Sequence, residues 1–595
     1  MRIGLVTEGG YPYVSGDAGP WCERLVRGLE QHQFDLYALS RSRRQEDGGW
    51  VPLPPQVGRV RTAPLWTAED DGVVHGRRAR RRFAECYGEL AAVVCTADRD
   101  DPRGPGHPAG LADPSGLADL RDLGDSGAHD DRAGGTDDQA DRFASALYGL
   151  AELARDEGGL AGALRSESAV RALERACRAP GAPSAAREAR VPDLLAVAAH
   201  LERALRPLSL DWYEDDGLGA ADLCHTAGGG TAALPGLLAR HFCGVPLLVT
   251  EYGVHLRAHY LATGAETTAP AVRSLLAAFH RALAAEVYRR AAVVTHGNAH
   301  ARRWQERCGA DRARLRTVHP GMDAAPFAEA GESPEAADPA TLVWVGRIEP
   351  AKDLVSLLHA FAEVRGQEPG ARLRIFGTAA GPDAAAYLGH CRALAAQLFP
   401  DEADGPHTVG DNPVSFEELG GPEAPTLADA YASGAVVVLS SVVEGLPVSL
   451  VEAMFCGRAT VSTDVGAVVE VIGGTGLVVP PRNPRALADA CVALLRDPER
   501  RARLGAAARA RALELFTVEQ NIAAFHGIYL EIVSHCPVRR VLLDGSGEPL
   551  PFATPAEAHV PGHWTAPAAP ARTPGPAVAA PARTAVPARA PEATR

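Results

Sequence analysis

TLVWVGRIEPAKDLVSLLHAFAEVRGQEPGARLRIFG, residues 341–377, reads as a strand, a helix and a second strand. TLVWVGRI (341–348) is a short buried strand, a helical pattern runs from Leu354 to Val364, and ARLRIFG (371–377) closes the unit. The pattern continues through AVVVLSS (435–441), a helix from Pro447 to Cys456, and ATVSTDV (459–465). Short β-branched runs alternating with amphipathic helices are the sequence sign of a parallel sheet with crossover helices.

The first half repeats the theme. RIGLVTE (2–8) is a strand, and PWCERLVRGLEQ (20–31) is a helix with Trp21, Leu25, Val26 and Leu29 on one face. ADLCHTA (221–227), AALPGLLARHF (232–242) and PLLVTEYG (246–253) form a β-α-β unit, and AAVVTHG (291–297) gives a further strand. The pattern restarts once, after residue 340. The expected fold is therefore α/β, with two Rossmann-like doubly wound domains facing a cleft and helical additions between 143 and 206 of the first. Ligands are expected where the strands' C-terminal ends meet the cleft. The expected domains are 1–330 and 341–535, joined by the linker GESPEAADPA (331–340). An Asp/Gly/Pro-rich insertion (96–141) and a Pro/Ala-rich tail (551–595) read as disordered, because they hold too few apolar residues to offset ordering entropy.

Composition narrows the function. The chain has 595 residues, of which 46% are apolar and 23% charged, as in ordinary globular proteins. Its net charge of −14 argues against nucleic acid as a partner, since phosphate binding needs a basic face. Much of that acidity is local, with twelve Asp against four Arg in 97–141. Eleven Cys without a CxxC pair read as reduced thiols of a cytoplasmic protein, and MRIGLVTEGG has no apolar signal core. No run reaches the roughly 18 apolar residues of a membrane span. Peripheral attachment at the inner face of the membrane stays open.

Three segments carry candidate chemistry. In SSVVEGLPVSLVEAMFCGRATVSTDVG (440–466), Glu444 follows a buried strand and Glu452 lies eight residues on. Gly445, Leu446 and Pro447 make the turn, and Pro447 suits a first helical position. Carboxylates at a helix start can accept hydroxyl hydrogen bonds from sugar diols. They can equally compensate the helix dipole while staying solvated. In VWVGRIEPAKDL (343–354) a strand ends at Gly346, and Arg347 and Lys352 follow on a Pro-containing loop. Two cations there can clamp a diphosphate, or be plain surface charges. EGGYPYVSGDAGPW (8–21) is a Gly-rich loop that lets backbone approach a ligand, or a tight turn. Three further features read more simply. His296 and His300 lie i,i+4 on an expected helix start, more as a surface pair than a metal site. HGRRARRRF (75–83) is a solvated helix face or a lipid-facing cluster, and Phe416 is core.

EGLPVSLVEAM, VGRIEPAKDL and TVHPGMDAAPF (317–327) together resemble the retaining glycosyltransferases of family 4, over about 1–535 without the insertion. TEGGYPYVSGDAGPW with TEYGVHLRAHYL (250–261) is similar to the PelF type of that family, a cytosolic transferase linked to exopolysaccharide synthesis. The resemblance implies the GT-B fold and transfer of a hexose from a nucleotide sugar, UDP-glucose or similar, to a glycan acceptor. It implies no bound metal or cofactor, because protein cations replace the metal. A membrane-associated polysaccharide synthase complex is the implied partner. Arg347 and Lys352 would bind the donor diphosphate and assist its departure. Glu444, with the backbone of Gly445 and Leu446, would hold the donor sugar, and Glu452 the ribose. Gly346 and Gly16 would lie near the phosphates, and His225, Glu251 and Tyr252 would face the acceptor. Two departures stand out: Ser15-Gly16-Asp17 where Ser-Gly-Gly is expected, and Glu251-Tyr252-Gly253 where Glu-His-Gly is expected. They leave a second reading, a catalytically weak nucleotide-sugar-binding subunit that scaffolds a synthase.

Overall fold

Alternation along two strands sets the layers. In β1 (Arg2–Glu8), Ile3 and Leu5 point to one face of a sheet and Val6 to the other, as the two-residue period of a strand requires. In β8 (Thr341–Arg347), Leu342 and Trp344 serve one core and Val343 and Val345 a second. Such strands are stable only with helices on both faces. The computed structural model describes residues 1–15, 19–67, 71–96, 133–214, 216–262, 269–333, 338–400, 412–422 and 424–538. Both sheets lie in one compact unit, Met1–Val538.

The first sheet joins β1 to β2 (Gln33–Ser40), β3 (Val57–Pro64), β4 (Leu223–Ala227), β5 (Leu247–Glu251), β6 (Val293–His296) and β7 (Leu315–Thr317). Its order is β3-β2-β1-β4-β5-β6-β7, and every pairing is parallel. The second joins β8 to β9 (Arg372–Thr378), β10 (Val414–Glu417), β11 (Val436–Leu439), β12 (Ala459–Thr463) and β13 (Leu477–Val479). Its order is β10-β9-β8-β11-β12-β13, again all parallel. Two doubly wound sheets are the architecture the alternation predicts. Each changes winding direction once, between β1 and β4 and between β8 and β11, the position at which open parallel sheets bind their ligands.

The helical additions pack on the Val6 face. Phe83 and Tyr87 of the helix Arg77–Thr96 meet Phe143, Leu147 and Leu150 of the helix Ala133–Glu157. This corrects the expected insertion at both ends. Thr96 closes one helix, and Gln139 in the other donates to its hydroxyl at 3.1 Å. Residues 97–132 and the tail from 539 lie outside the described residues, as do 334–337 of the linker, whose first two residues end the helix Ala328–Glu332.

The last helix, Val518–His535, does not stay with the second sheet as the sequence boundary at 535 expects. Phe525, Ile528, Tyr529 and Ile532 pack against Ile3, Leu5, Trp21 and Leu25 of the first. Each buried apolar side chain of that set contributes about 1.5–3 kcal/mol, so the helix ties the two halves together. Among the described residues, no helix is long and apolar enough to cross a membrane.

Candidate active site

The second switch point carries the densest polar cluster of the sequence motifs. After β8 the chain makes a short turn, Pro350–Lys352, and Asp353 then adopts left-handed backbone (φ 48°). Asp tolerates that region better than most residues, and its Oδ1 accepts from the Ser356 N–H at 3.2 Å, which caps the helix Leu354–Gln367. The sharp turn aims Lys352 at the loop after β11. There Lys352 Nζ forms an ion pair with Glu444 Oε1, with only 16% and 9% of the two side chains exposed. Ser441 Oγ donates to the same carboxylate oxygen at 2.8 Å.

The two loops are also joined through backbone. Ser440 Oγ donates to the Lys352 carbonyl at 2.7 Å, and the Val442 N–H donates to the Ala351 carbonyl at 2.9 Å. From β12, Thr463 Oγ1 donates to the Ser441 carbonyl at 2.6 Å. Lys352 and Glu444 are therefore held by rigid surroundings. A Cβ on Gly445 would face open space, while its carbonyl accepts from the Ala467 N–H at 3.0 Å.

Glu452 sits on the helix Val448–Phe455, whose N-terminus no side chain caps. Pro447 is the N-cap rather than the expected first helical residue. Glu452 Oε2 accepts from the Tyr431 hydroxyl at 2.7 Å. Burial raises the Glu452 pKa, and the tyrosine hydrogen bond opposes that rise. Tyr431 is itself buried, and its hydroxyl is pushed well above its ordinary pKa by burial and by the carboxylate. Arg347 stands apart: its side chain is 79% exposed and pairs with Glu349 at 4.0 Å. Lys352 and Glu444 thus meet, whereas Arg347 points to solvent. Gly346 packs against the Trp344 ring, where a Cβ would lie 3.2 Å from the indole. Leu446 packs on the neighbouring core, and Gly16, with Asp17, lies outside the described residues.

The expected acceptor-side residues are corrected. His225 lies inside β4 and is fully buried, bonding Tyr529 OH through Nδ1 (2.8 Å) and Thr250 Oγ1 through Nε2 (2.7 Å). Burial pushes its pKa down to about 3, so it is a neutral core histidine and does not face the cleft. Glu251 is 1% exposed. Its Oε2 accepts from the Tyr288 hydroxyl, and its Oε1 from the His255 N–H at 3.1 Å. Tyr252 accepts from Asn521 Nδ2 at 3.0 Å and stands edge-on to Trp21, with centroids 5.2 Å apart. The returning C-terminal helix supplies Tyr529 and Asn521, and this long-range packing takes up groups that the family resemblance had assigned to the acceptor side. His296 ends β6 rather than starting a helix, and bonds Thr317 Oγ1 at 2.8 Å. Among the described residues no group of three His, Cys, Asp or Glu could hold a metal ion.

Two residues were not singled out by sequence and connect the sheets. Arg257, on the helix His255–Ala262, donates through Nη2 to the Glu444 carbonyl at 3.0 Å. Glu470 Oε2 accepts from the Ala299 N–H at 2.5 Å, at the start of the helix Ala299–Arg307. A lone Arg within TEYGVHLRAHYL gives no signal of its own, because its partner is 187 residues away.

Residues 339–497 match the family model described as Glycosyl transferases group 1, and residues 1–103 and 128–313 match a domain of unknown function (DUF3492). A D-inositol 3-phosphate glycosyltransferase of Nocardioides sp. is 31% identical over 308 residues, covering 49% of this chain and 64% of that protein. One of Kineococcus radiotolerans is 31% identical over 237 residues, covering 37% and 52%. The chain spans about half the length of several curated relatives it matches. Among solved structures, sucrose-phosphate synthase of Thermosynechococcus elongatus has a TM-score of 0.49 at 16% identity, covering 90% of this chain and 99% of that one. HepE of Anabaena in complex with UDP has a TM-score of 0.41 at 17% identity, covering 53% and 79%. Lys352, Glu444 and Glu452 thus all lie within the segment that matches the Glycosyl transferases group 1 model.

Proposed function

We propose that this chain is a retaining glycosyltransferase of the PelF type that moves a hexose from a nucleoside diphosphate sugar, UDP-glucose or a close relative, to a glycan acceptor. The observation that carries the reading is the Lys352–Glu444 pair, fixed at the β8/β11 switch point within the glycosyl transferases group 1 segment. A shielded ammonium at a sheet's carboxyl edge suits a diphosphate, and it is worth most where charge builds up on the departing phosphate. The carboxylate beside it can accept the hydroxyls of the donor sugar. Glu452, oriented by Tyr431, would take the ribose hydroxyls.

In this mechanism the nucleotide sugar lies across the turn at Gly445 and Leu446. Lys352 neutralises the leaving diphosphate, and Arg347 swings in from solvent to share that charge, so the protein's own cations serve where other transferases use a metal. The acceptor hydroxyl attacks the anomeric carbon on the face the diphosphate leaves, and its proton passes to the leaving phosphate oxygen. The anomeric configuration is thereby kept. The same reading puts the protein in the cytoplasm, at the inner face of the membrane beside a polysaccharide synthase complex. The basic run of the helix Arg77–Thr96 and the neighbouring Val74, 79% exposed, support that placement.

The test is release of nucleoside diphosphate from a panel of UDP-, GDP- and ADP-hexoses, with and without oligosaccharide acceptors. Acceptor-dependent release by the wild type, abolished in Lys352→Ala, supports the proposal. Binding of no member of the panel overturns it. A second reading, a donor-binding subunit that scaffolds a synthase, is favoured by the internal bonds that occupy His225, Glu251 and Tyr252. It predicts tight donor binding without acceptor-dependent release.

A further inference from the structure

Arg257 is the point at which the first sheet's helices reach the candidate active site. Its half-buried guanidinium spends one Nη on the Glu444 carbonyl, and no other hydrogen bond or ion pair of that side chain is recorded among the described residues. A guanidinium has five N–H donors in a fixed fork, so most of its capacity remains unused beside the Lys352–Glu444 pair. Burial lowers its pKa, and the nearby Glu444 only partly offsets this. A cation that is partly desolvated and held by a carbonyl rather than a carboxylate is left to attract an anion.

The position of Arg257 is built rather than incidental. Its helix begins at His255, whose N–H is held by Glu251, and Glu251 is in turn fixed by the hydroxyl of buried Tyr288. Gly229 and Gly230 leave room for this arrangement, since a Cβ on either would fall within 3.0 Å of the Glu251 carboxylate or the His255 ring. The expected acceptor carboxylate thus works as a bracket for the helix that carries Arg257. From there the side chain crosses to the loop after β11.

We infer that Arg257 is a donor-phosphate ligand supplied by the first sheet's half of the chain, so that the diphosphate is clamped between Lys352 on one side and Arg257 on the other. Arg257 thereby supplies, already in place, a second cation beside Lys352, whereas Arg347 points to solvent here and joins them only by moving. Glu251 and Tyr288 are positioning residues for it. The cation comes from one half of the molecule and the sugar-binding carboxylate from the other, so the clamp is complete only when the two halves are together. This inference rests on the proposed transferase activity.

The experiment compares wild type, Arg257→Ala and Arg257→Lys in UDP-hexose turnover, with melting temperature and UDP binding measured on each. Arg257→Ala is expected to lower kcat by about 100-fold, the scale for losing one charge-stabilising donor, with the melting temperature kept. Arg257→Lys should recover part of the rate as a point charge, and millimolar guanidinium should partly rescue the alanine variant. Turnover within two-fold of wild type in Arg257→Ala overturns the inference, as does a loss that follows a drop in melting temperature and is restored by neither lysine nor guanidinium. A wild type that binds no member of the UDP-, GDP- and ADP-hexose panel refutes the transferase reading instead, which keeps the two failures apart.

Discussion

Gly466 and the Glu444 carbonyl are in closer contact than any side chain would permit: a Cβ on Gly466 would lie 2.4 Å from that oxygen. Gly466 also has φ +58°, in the left-handed region. The start of the loop after β12 therefore packs directly under the residue that pairs with Lys352. Gly466→Ala adds both backbone strain and a steric clash, and is expected to cost about 1–3 kcal/mol. Urea denaturation should show the loss, and donor affinity should fall with it because Glu444 must shift. Unchanged donor affinity in a destabilised variant would show that the loop relaxes away from the site.

Lys352 and Glu444 should behave as one unit. Lys352→Ala is expected to lower turnover by about 100-fold or more, as does loss of a single charge-stabilising donor elsewhere. Glu444→Gln keeps the shape and the Ser441 contact but removes the charge, and should act mainly through the donor KM. The double variant should lose less than the sum of the two, because paired groups couple by about 0.5–3 kcal/mol. Strict additivity would argue that the ion pair seen here does not persist with donor bound.

Tyr431→Phe removes only the hydroxyl that orients Glu452. A net hydrogen bond to a charged acceptor is worth about 1.5–3 kcal/mol, so the donor KM should rise by roughly ten-fold or more while kcat changes little. Steady-state kinetics with a nucleotide sugar checks this split. An equal fall in kcat would place Glu452 in the chemical step instead.

Stability should fall on acidification below neutrality. His225 titrates near 6.5 in an unfolded chain, and burial pushes it to about 3 in the fold. The folded state thus holds the neutral ring, its contribution is complete above about pH 6.5, and it is lost as the pH falls toward 3. Each pH unit in that window costs up to about 1.4 kcal/mol for such a group. Urea midpoints measured from pH 7 to 4.5 should decline, and His225→Asn, though less stable at pH 7, should show a shallower decline. Other histidines, buried His32 and His296 and half-buried His300 among them, are lowered to about 4 and keep a residual slope in the variant.

Local pattern made the two sheets legible. Strand and helix periodicity are properties of neighbouring residues, so TLVWVGRI, ARLRIFG and AVVVLSS located β8, β9 and β11 without reference to the rest of the chain. The spacing of Glu444 and Glu452 around a strand–helix turn likewise marked the carboxyl edge of the second sheet, where ligands are expected. Which side chains are free at such an edge is a different question. Glu251 ends β5 and Tyr252 follows it, while His225 lies inside β4, and Tyr288, Asn521 and Tyr529 take up their polar atoms from 37, 269 and 304 residues away.

The amino-acid order by itself determined two parallel sheets, the restart after residue 340 and the location of Lys352 and Glu444 on loops that follow strands, because these depend on period and on short connections. Only the tertiary structure decided that the last helix returns to the first sheet, that Arg347 faces solvent, and that Arg257 reaches Glu444. The physical reason is range. Hydrophobic burial and hydrogen-bond satisfaction are settled by whichever groups the whole fold brings within a few ångströms, and no local stretch specifies those partners.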